Sequence, residues 1–147
     1  MKCPILAIPS DFEYESPFEI LFPTDLDVDY QKTSLDFLVD IAVTHHSRIH
    51  VMHVSTGYAF TEEQENHKMI LEDMFKSTAY LFHDFESMEI ADAINKFQFK
   101  HKINMLAMIN NKHSFFENLF FKNTINQIGF HLNIPFLVIP SKTYREP

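Results

Sequence analysis

Two kinds of apolar patterning alternate along the chain. Short runs rich in apolar and β-branched residues, FEILFP at 18–23, RIHVMHVS at 48–55, AYLFHDFES at 79–87, NMLAMI at 104–109 and PFLVIP at 135–140, predict strands. Between them apolar residues recur every three or four positions, the spacing of an amphipathic helix. From about Tyr30 a stripe of Leu35, Leu38, Val39, Ala42 and Val43 predicts a helix that ends near His45 and His46. Over 61–79, Thr61 stands three places before Gln64, a capping box, ahead of Leu71, Met74, Phe75 and Thr78. A third helix is marked by Ile90, Ala91, Ile94 and Phe97, and a fourth by Ser114 and Glu117 ahead of Leu119, Phe120 and Ile128. Strands alternating with helices imply right-handed crossovers, and therefore an α/β fold: a five-stranded, mostly parallel sheet with helices on both faces.

One phrase falls outside that count. PILAIPS at 4–10 and PFLVIPS at 135–141 agree at five of seven positions, so the first predicts a sixth, extra strand near the N-terminus. Proline cannot donate to a strand ladder, and the prolines flanking both phrases predict short or edge strands. The expected organisation is an extra strand in 1–10, a linker over 11–17, a domain over 18–141 and a tail over 142–147.

Composition narrows the function. A formal charge of -8 with only 12 Lys and Arg in 147 residues argues against nucleic acid as the main partner. Cys3 is the single cysteine, which excludes an internal disulfide and fits a reducing compartment. Pro4, Pro9 and the acidic Asp11, Glu13 and Glu15 interrupt the N-terminal apolar run before a signal-peptide core develops, and no segment reaches the ~20 apolar residues of a membrane helix. A cytoplasmic protein with no membrane contact is expected.

The ordered set ILFPTDLD at 20–27, RIHVMHV at 48–54, INMLAMI at 103–109 and IPFLVIP at 134–140 resembles the universal stress protein family. The resemblance implies that family's opening strand with its Asp, its second and fourth strands, and its terminal strand. It also accounts for the repeated phrase. In tandem members a terminal strand of the type CPxLxxP precedes the second domain, and CPILAIP at 3–9 looks like that strand. The resemblance thus implies the C-terminal half of a tandem protein, or a descendant of one. It further implies antiparallel pairing of Ile5, Leu6, Ala7 and Ile8 with Phe136, Leu137, Val138 and Ile139, within the chain or with a neighbour's copy. A homodimer or a tandem-domain partner is the expected associate.

In nucleotide-binding members a GxxG motif, nine residues, then Gly and Ser or Thr lie between the fourth strand and the following helix. The matching positions here are Ile109, Lys112, Lys122 and Asn123, and every glycine is replaced. Only Gly57 and Gly129 occur in the whole chain, so no glycine-rich phosphate cradle is available. The resemblance therefore implies a variant that does not bind ATP and needs no cofactor. Asp25 matches the family's base-contacting Asp, although acidic residues also begin helices for structural reasons. Lys112, His113 and Lys122 offer an alternative anion site at a helix N-terminus, against the plainer reading of solvated charges. Phe115, Phe116, Phe120 and Phe121 either enter the core or plug the vacated pocket.

Other chemistry is thinly supported. DLDVDY at 25–30 parallels the two-Asp nucleophile motif of a magnesium-dependent phosphatase, but its fifth position is Asp29 and no later acidic pair follows. As a calcium loop the same stretch lacks the central glycine, which is Tyr30. None of the nine histidines sits in a ligand motif, and His50 and His53 fall on opposite faces of a strand. A metal site is not expected. The resulting expectation is a stress-response module that acts by association, without catalysis. A small-ligand or anion binder using the remodelled pocket is the alternative, and a phosphatase is a remoter one.

Overall fold

The computed structural model describes residues 3–55, 59–86, 90–110 and 133–141. Strands β1 (Ile5–Ala7), β2 (Glu19–Thr24), β3 (Arg48–Ser55), β4 (Ala79–Glu86), β5 (Met105–Asn110) and β6 (Phe136–Pro140) form one sheet in the order β1-β6-β5-β2-β3-β4. Neighbours from β6 through β4 run parallel, and β1 joins β6 antiparallel. The sheet is thus six-stranded and mixed: the extra strand expected beside a five-stranded sheet is a full member of it. Helices α1 (Asp36–His45), α2 (Glu62–Met74) and α3 (Ile90–Lys100) complete the described elements. The fourth helix expected from Ser114 lies outside the described residues.

Alternation along each strand builds two cores. Ile20 and Phe22 of β2, Ile49 and Val51 of β3, and Ala107 and Ile109 of β5 pack with Leu38 of α1 and Leu71 of α2. Leu21, Met52, Leu106 and Phe136 face the other way, against Ile90, Ala91, Ile94 and Phe97 of α3. A parallel sheet must be covered on both faces, and the helices divide between them accordingly.

Local chemistry shifts two boundaries from their expected places. The helix expected from Tyr30 makes only one 3-10 turn, Tyr30–Lys32, before Thr33 becomes extended, and α1 starts at Asp36. Asp29 accepts from the Gln31 N–H at 3.2 Å, and the Thr33 hydroxyl donates to the Tyr30 carbonyl at 2.7 Å. Such short side chains compete with a continuing helix by bonding locally to the backbone. The second helix stops at Met74 because Phe75 turns fully into the core, edge-on to Phe22 at 5.9 Å. Its beginning is as the sequence implies: the Gln64 N–H donates to the Thr61 hydroxyl at 3.1 Å and the Thr61 N–H to Gln64 Oε1 at 3.0 Å.

At the outer edge Ile5, Leu6 and Ala7 lie opposite Val138, Leu137 and Phe136. Pairing is made within the chain, and three residues suffice because Pro4 and Pro9 frame the segment. Among the described residues no helix is long and apolar enough to cross a membrane.

Phe22 makes edge contacts with both Phe75 and Tyr30 and has no exposed surface. Phe22→Ala is therefore expected to lower unfolding free energy by about 3–5 kcal/mol. Phe99→Ala, at a side chain 91% exposed, should stay within about 0.5 kcal/mol of the parent in the same urea titration.

Candidate functional site at the carboxyl ends of the central strands

In an open α/β sheet the crevice for ligands lies outside the carboxyl ends of the strands, where strand order reverses. Here that point falls between β2 and β5. Their ladder covers only Ile20 with Met105 and Leu21 with Leu106, whereas β2 stays paired with β3 through Thr24. Pro23 has no N–H to give, so β2 cannot extend its bonding toward β5 at that position. The two strands part, and β2 delivers Thr24 and Asp25 to the gap.

The chain leaves β2 through a tight polar turn. Thr24 is buried; its hydroxyl accepts the Leu26 N–H at 3.1 Å and hydrogen-bonds the Tyr30 hydroxyl. Asp25 Oδ1 accepts the Asp27 N–H at 3.0 Å. Leu26 takes a left-handed conformation, φ 62°, with its side chain fully buried. This backbone is unfavourable for a γ-branched residue by about 1–2 kcal/mol, and burial of its side chain holds it there. From α2, His67 Nδ1–H donates to the Leu26 carbonyl at 2.6 Å and Gln64 Nε2–H to the Asp25 carbonyl at 3.4 Å. The start of α2 is thereby docked on the turn.

A register row extends the polar surface. Thr24 lies opposite His53, and His53 opposite Asp84. The Asp84 carboxylate accepts from His53 Nδ1–H at 3.1 Å, which leaves Nε2 as the acceptor of the neutral ring. Phe60 meets His53 edge-on at 4.9 Å, and Phe82 stacks with it at 6.5 Å, with Lys68 Nζ 4.3 Å above the Phe82 ring. Burial pushes the Asp25 carboxyl above its ordinary range, and the Asp27 charge adds to this; the Asp27 N–H and His53 oppose it. Tyr30 is pushed up by burial too and stays protonated. The arrangement can accept hydrogen bonds from a ligand at Asp25 and offers a carboxylate-oriented imidazole beside it.

Of the residues proposed from the sequence, Asp25 stands at this crevice. Ile109 is buried on β5 opposite Ile139, as part of the core. Lys112, His113, Lys122 and Asn123, and the four Phe residues between 115 and 121, lie outside the described residues. Asp27, the second carboxylate of the phosphatase reading, is exposed and uses its backbone to cap Asp25. Among the described residues no group of three or more His, Cys, Asp or Glu is placed to hold a metal ion. Sequence reasoning missed His53, Asp84, Gln64 and His67 as neighbours of Asp25. Only the strand register could have supplied the first two.

No protein-family model matches the chain, and no curated protein matches it. Solved structures do. A universal stress protein from Archaeoglobus fulgidus DSM 4304 aligns over 92% of this chain with a TM-score of 0.62 and 14% identity. The chain spans 48% of that protein's length. A member of the universal stress protein family from Burkholderia pseudomallei aligns over 87% of this chain and 99% of its own, with a TM-score of 0.55 and 17% identity. A universal stress protein in complex with cAMP matches with the same TM-score and 12% identity, over 87% of this chain and all of its own. The fold is that of the universal stress proteins.

Two outcomes follow from the turn. Because burial raises Asp25 in the folded state, its ionisation opposes folding once pH passes the ordinary carboxylate value near 4. Asp25→Asn is expected to raise the urea midpoint at pH 7, with the gain vanishing as pH approaches 4. Thr24→Val strands the buried Leu26 N–H and Tyr30 hydroxyl and should cost about 1–3 kcal/mol in the same assay.

Proposed function

We propose that the chain is a regulatory, stress-response module of the universal-stress-protein type that acts by association through its outer strands, without catalysis and without ATP. The observation that carries this reading is the sheet edge. Strand β1 is outermost in the described sheet, and its Ile5 and Leu6 are 50% and 45% exposed. An apolar edge strand is a template for pairing with another chain; proteins blunt such edges with charge, proline or short length, and here Pro4 and Pro9 shorten β1 while no charge repels a partner. No charged residue lies between Cys3 and Ser10. The partner is a second copy, or the preceding domain of a tandem protein.

Loss of ATP binding is supported by composition. With Gly57 and Gly129 as the only glycines, no loop can supply several bare backbone positions around phosphates. The likeness to a protein that holds cAMP makes that ligand a necessary control. A second reading, a binder of a small polar ligand, is favoured by the parting of β2 and β5 beside the half-buried Asp25.

Light scattering tests the first reading. The parent chain is expected to dimerise, and the double variant Ile5→Lys, Leu6→Lys to run as a monomer; a monomeric parent would overturn association through this edge. Thermal shift with ATP and cAMP should leave the melting temperature unchanged. A ligand at a hundred times its Kd would stabilise by ~2.7 kcal/mol, so a clear rise that disappears in Asp25→Ala would establish the second reading instead.

A further inference from the structure

On the face of the sheet covered by α3, one polar array interrupts an otherwise apolar layer. His50 of β3 is only 5% exposed. Its Nε2 lies 2.7 Å from Glu19 Oε1, and its Nδ1 lies 3.1 Å from His83 Nε2 of β4. The His50 and His83 rings stack with centroids 5.3 Å apart, and His101, just past α3, stacks with His50 at 6.5 Å. Phe97 of α3 closes over all three rings, at 5.3 Å from His50, 4.9 Å from His83 and 4.7 Å from His101. We propose that Glu19, His50, His83 and His101 form a proton-sensing cluster that holds the carboxyl end of α3 on the sheet at neutral pH and releases it as the medium acidifies.

Proton bookkeeping fixes the response. A carboxylate only accepts, so His50 Nε2 carries a proton toward Glu19, and in the neutral ring Nδ1 accepts from His83 Nε2–H. One added proton is accommodated: His50 becomes an imidazolium paired with Glu19, and His83 switches tautomer to accept from Nδ1–H. A second proton is not. Both rings then aim N–H groups at each other across 3.1 Å, with Phe97 packed against them and His50 itself buried. Burial, then the neighbouring His50 and His101, already hold His83 below the ordinary histidine range. An opened state therefore takes up the proton more readily than the closed one. Closed-state stability is complete above the ordinary histidine value near 6.5 and falls as pH drops through it.

Among the described residues no group packed against the array offsets the second charge. Strand β2 contributes Glu19, already paired with His50, and β3 adds exposed Arg48 on the same face. From α3 the facing residue is Phe97, followed by exposed Lys100 and His101. Lys102 is engaged at 2.9 Å with Glu15, which also accepts from Asn104 Nδ2 at 3.0 Å. Asn104 Oδ1 in turn accepts the Glu19 N–H at 2.9 Å. Lifting the end of α3 thus slackens the anchor of residues 10–17, the segment that leads back to β1.

Backbone hydrogen exchange of the full chain, corrected for intrinsic rates, tests this. Between pH 6.5 and 5.5 the amides of 90–104 are expected to lose protection about fivefold, the response of one linked proton across its ordinary value. His83→Phe keeps the ring against Phe97 but cannot take the proton, and should lose less than about twofold. His46→Asn, at an exposed helix cap, should respond like the parent. An unchanged parent, or an undiminished response in His83→Phe, overturns the proposal. Should that variant misfold, His83→Gln serves in its place. Ring titration of the parent by NMR decides independently, since a His83 midpoint at or above the ordinary value also overturns it. The readout is internal to one chain, so a negative result leaves the association proposal untouched.

Discussion

Burial of β2 on both faces and along both edges is the constraint from which the rest of the structure follows. Ile20, Leu21 and Phe22 have no exposed surface, with β5 on one side and β3 on the other. A strand enclosed in this way cannot present chemistry along its length, because any polar side chain there would need a partner inside the core. Function is pushed to its ends. The amino end holds Glu19 and its bonds to His50 and Asn104, and the carboxyl end holds the Thr24–Asp27 turn.

Those two ends differ in physical character. At the carboxyl end the polar groups satisfy one another and brace a left-handed Leu26, with α2 docked by two hydrogen bonds. Strain of this kind persists only where surrounding structure over-determines it, and such positions concentrate at binding sites. Toward the amino end, His50 and His83 depend on a single shared hydrogen bond whose donor and acceptor exchange with protonation state. The first end is rigid by construction, and the second is conditional on the solvent.

Strand β1 connects these features to the outer edge of the sheet. It pairs with β6, and the segment joining it to β2 is held by Glu15 through Lys102 and Asn104. Hydrogen bonds from those two residues hold the Glu15 carboxyl below its ordinary range, so the anchor remains charged through the interval in which histidines titrate. A change at the end of α3 reaches the edge strand along a covalently continuous path.

Local sequence pattern by itself determined the strands and α-helices of the described residues, the two Pro-framed phrases and the capping box at Thr61, because each is written in residues close together in the chain. The opposite faces of His50 and His53 were legible for the same reason. Local side-chain bonds and tertiary packing decided the rest. Asp29 and Thr33 broke a helix that the apolar stripe would have continued, and Phe75 ended another by turning into the core. The rows Thr24–His53–Asp84 and Glu19–His50–His83 join residues about thirty positions apart, whose meeting depends on parallel register and on which face each helix covers. Short-range chemistry is fixed by spacing along the chain, whereas these sites exist only once the sheet has brought distant strands to within 5 Å of one another.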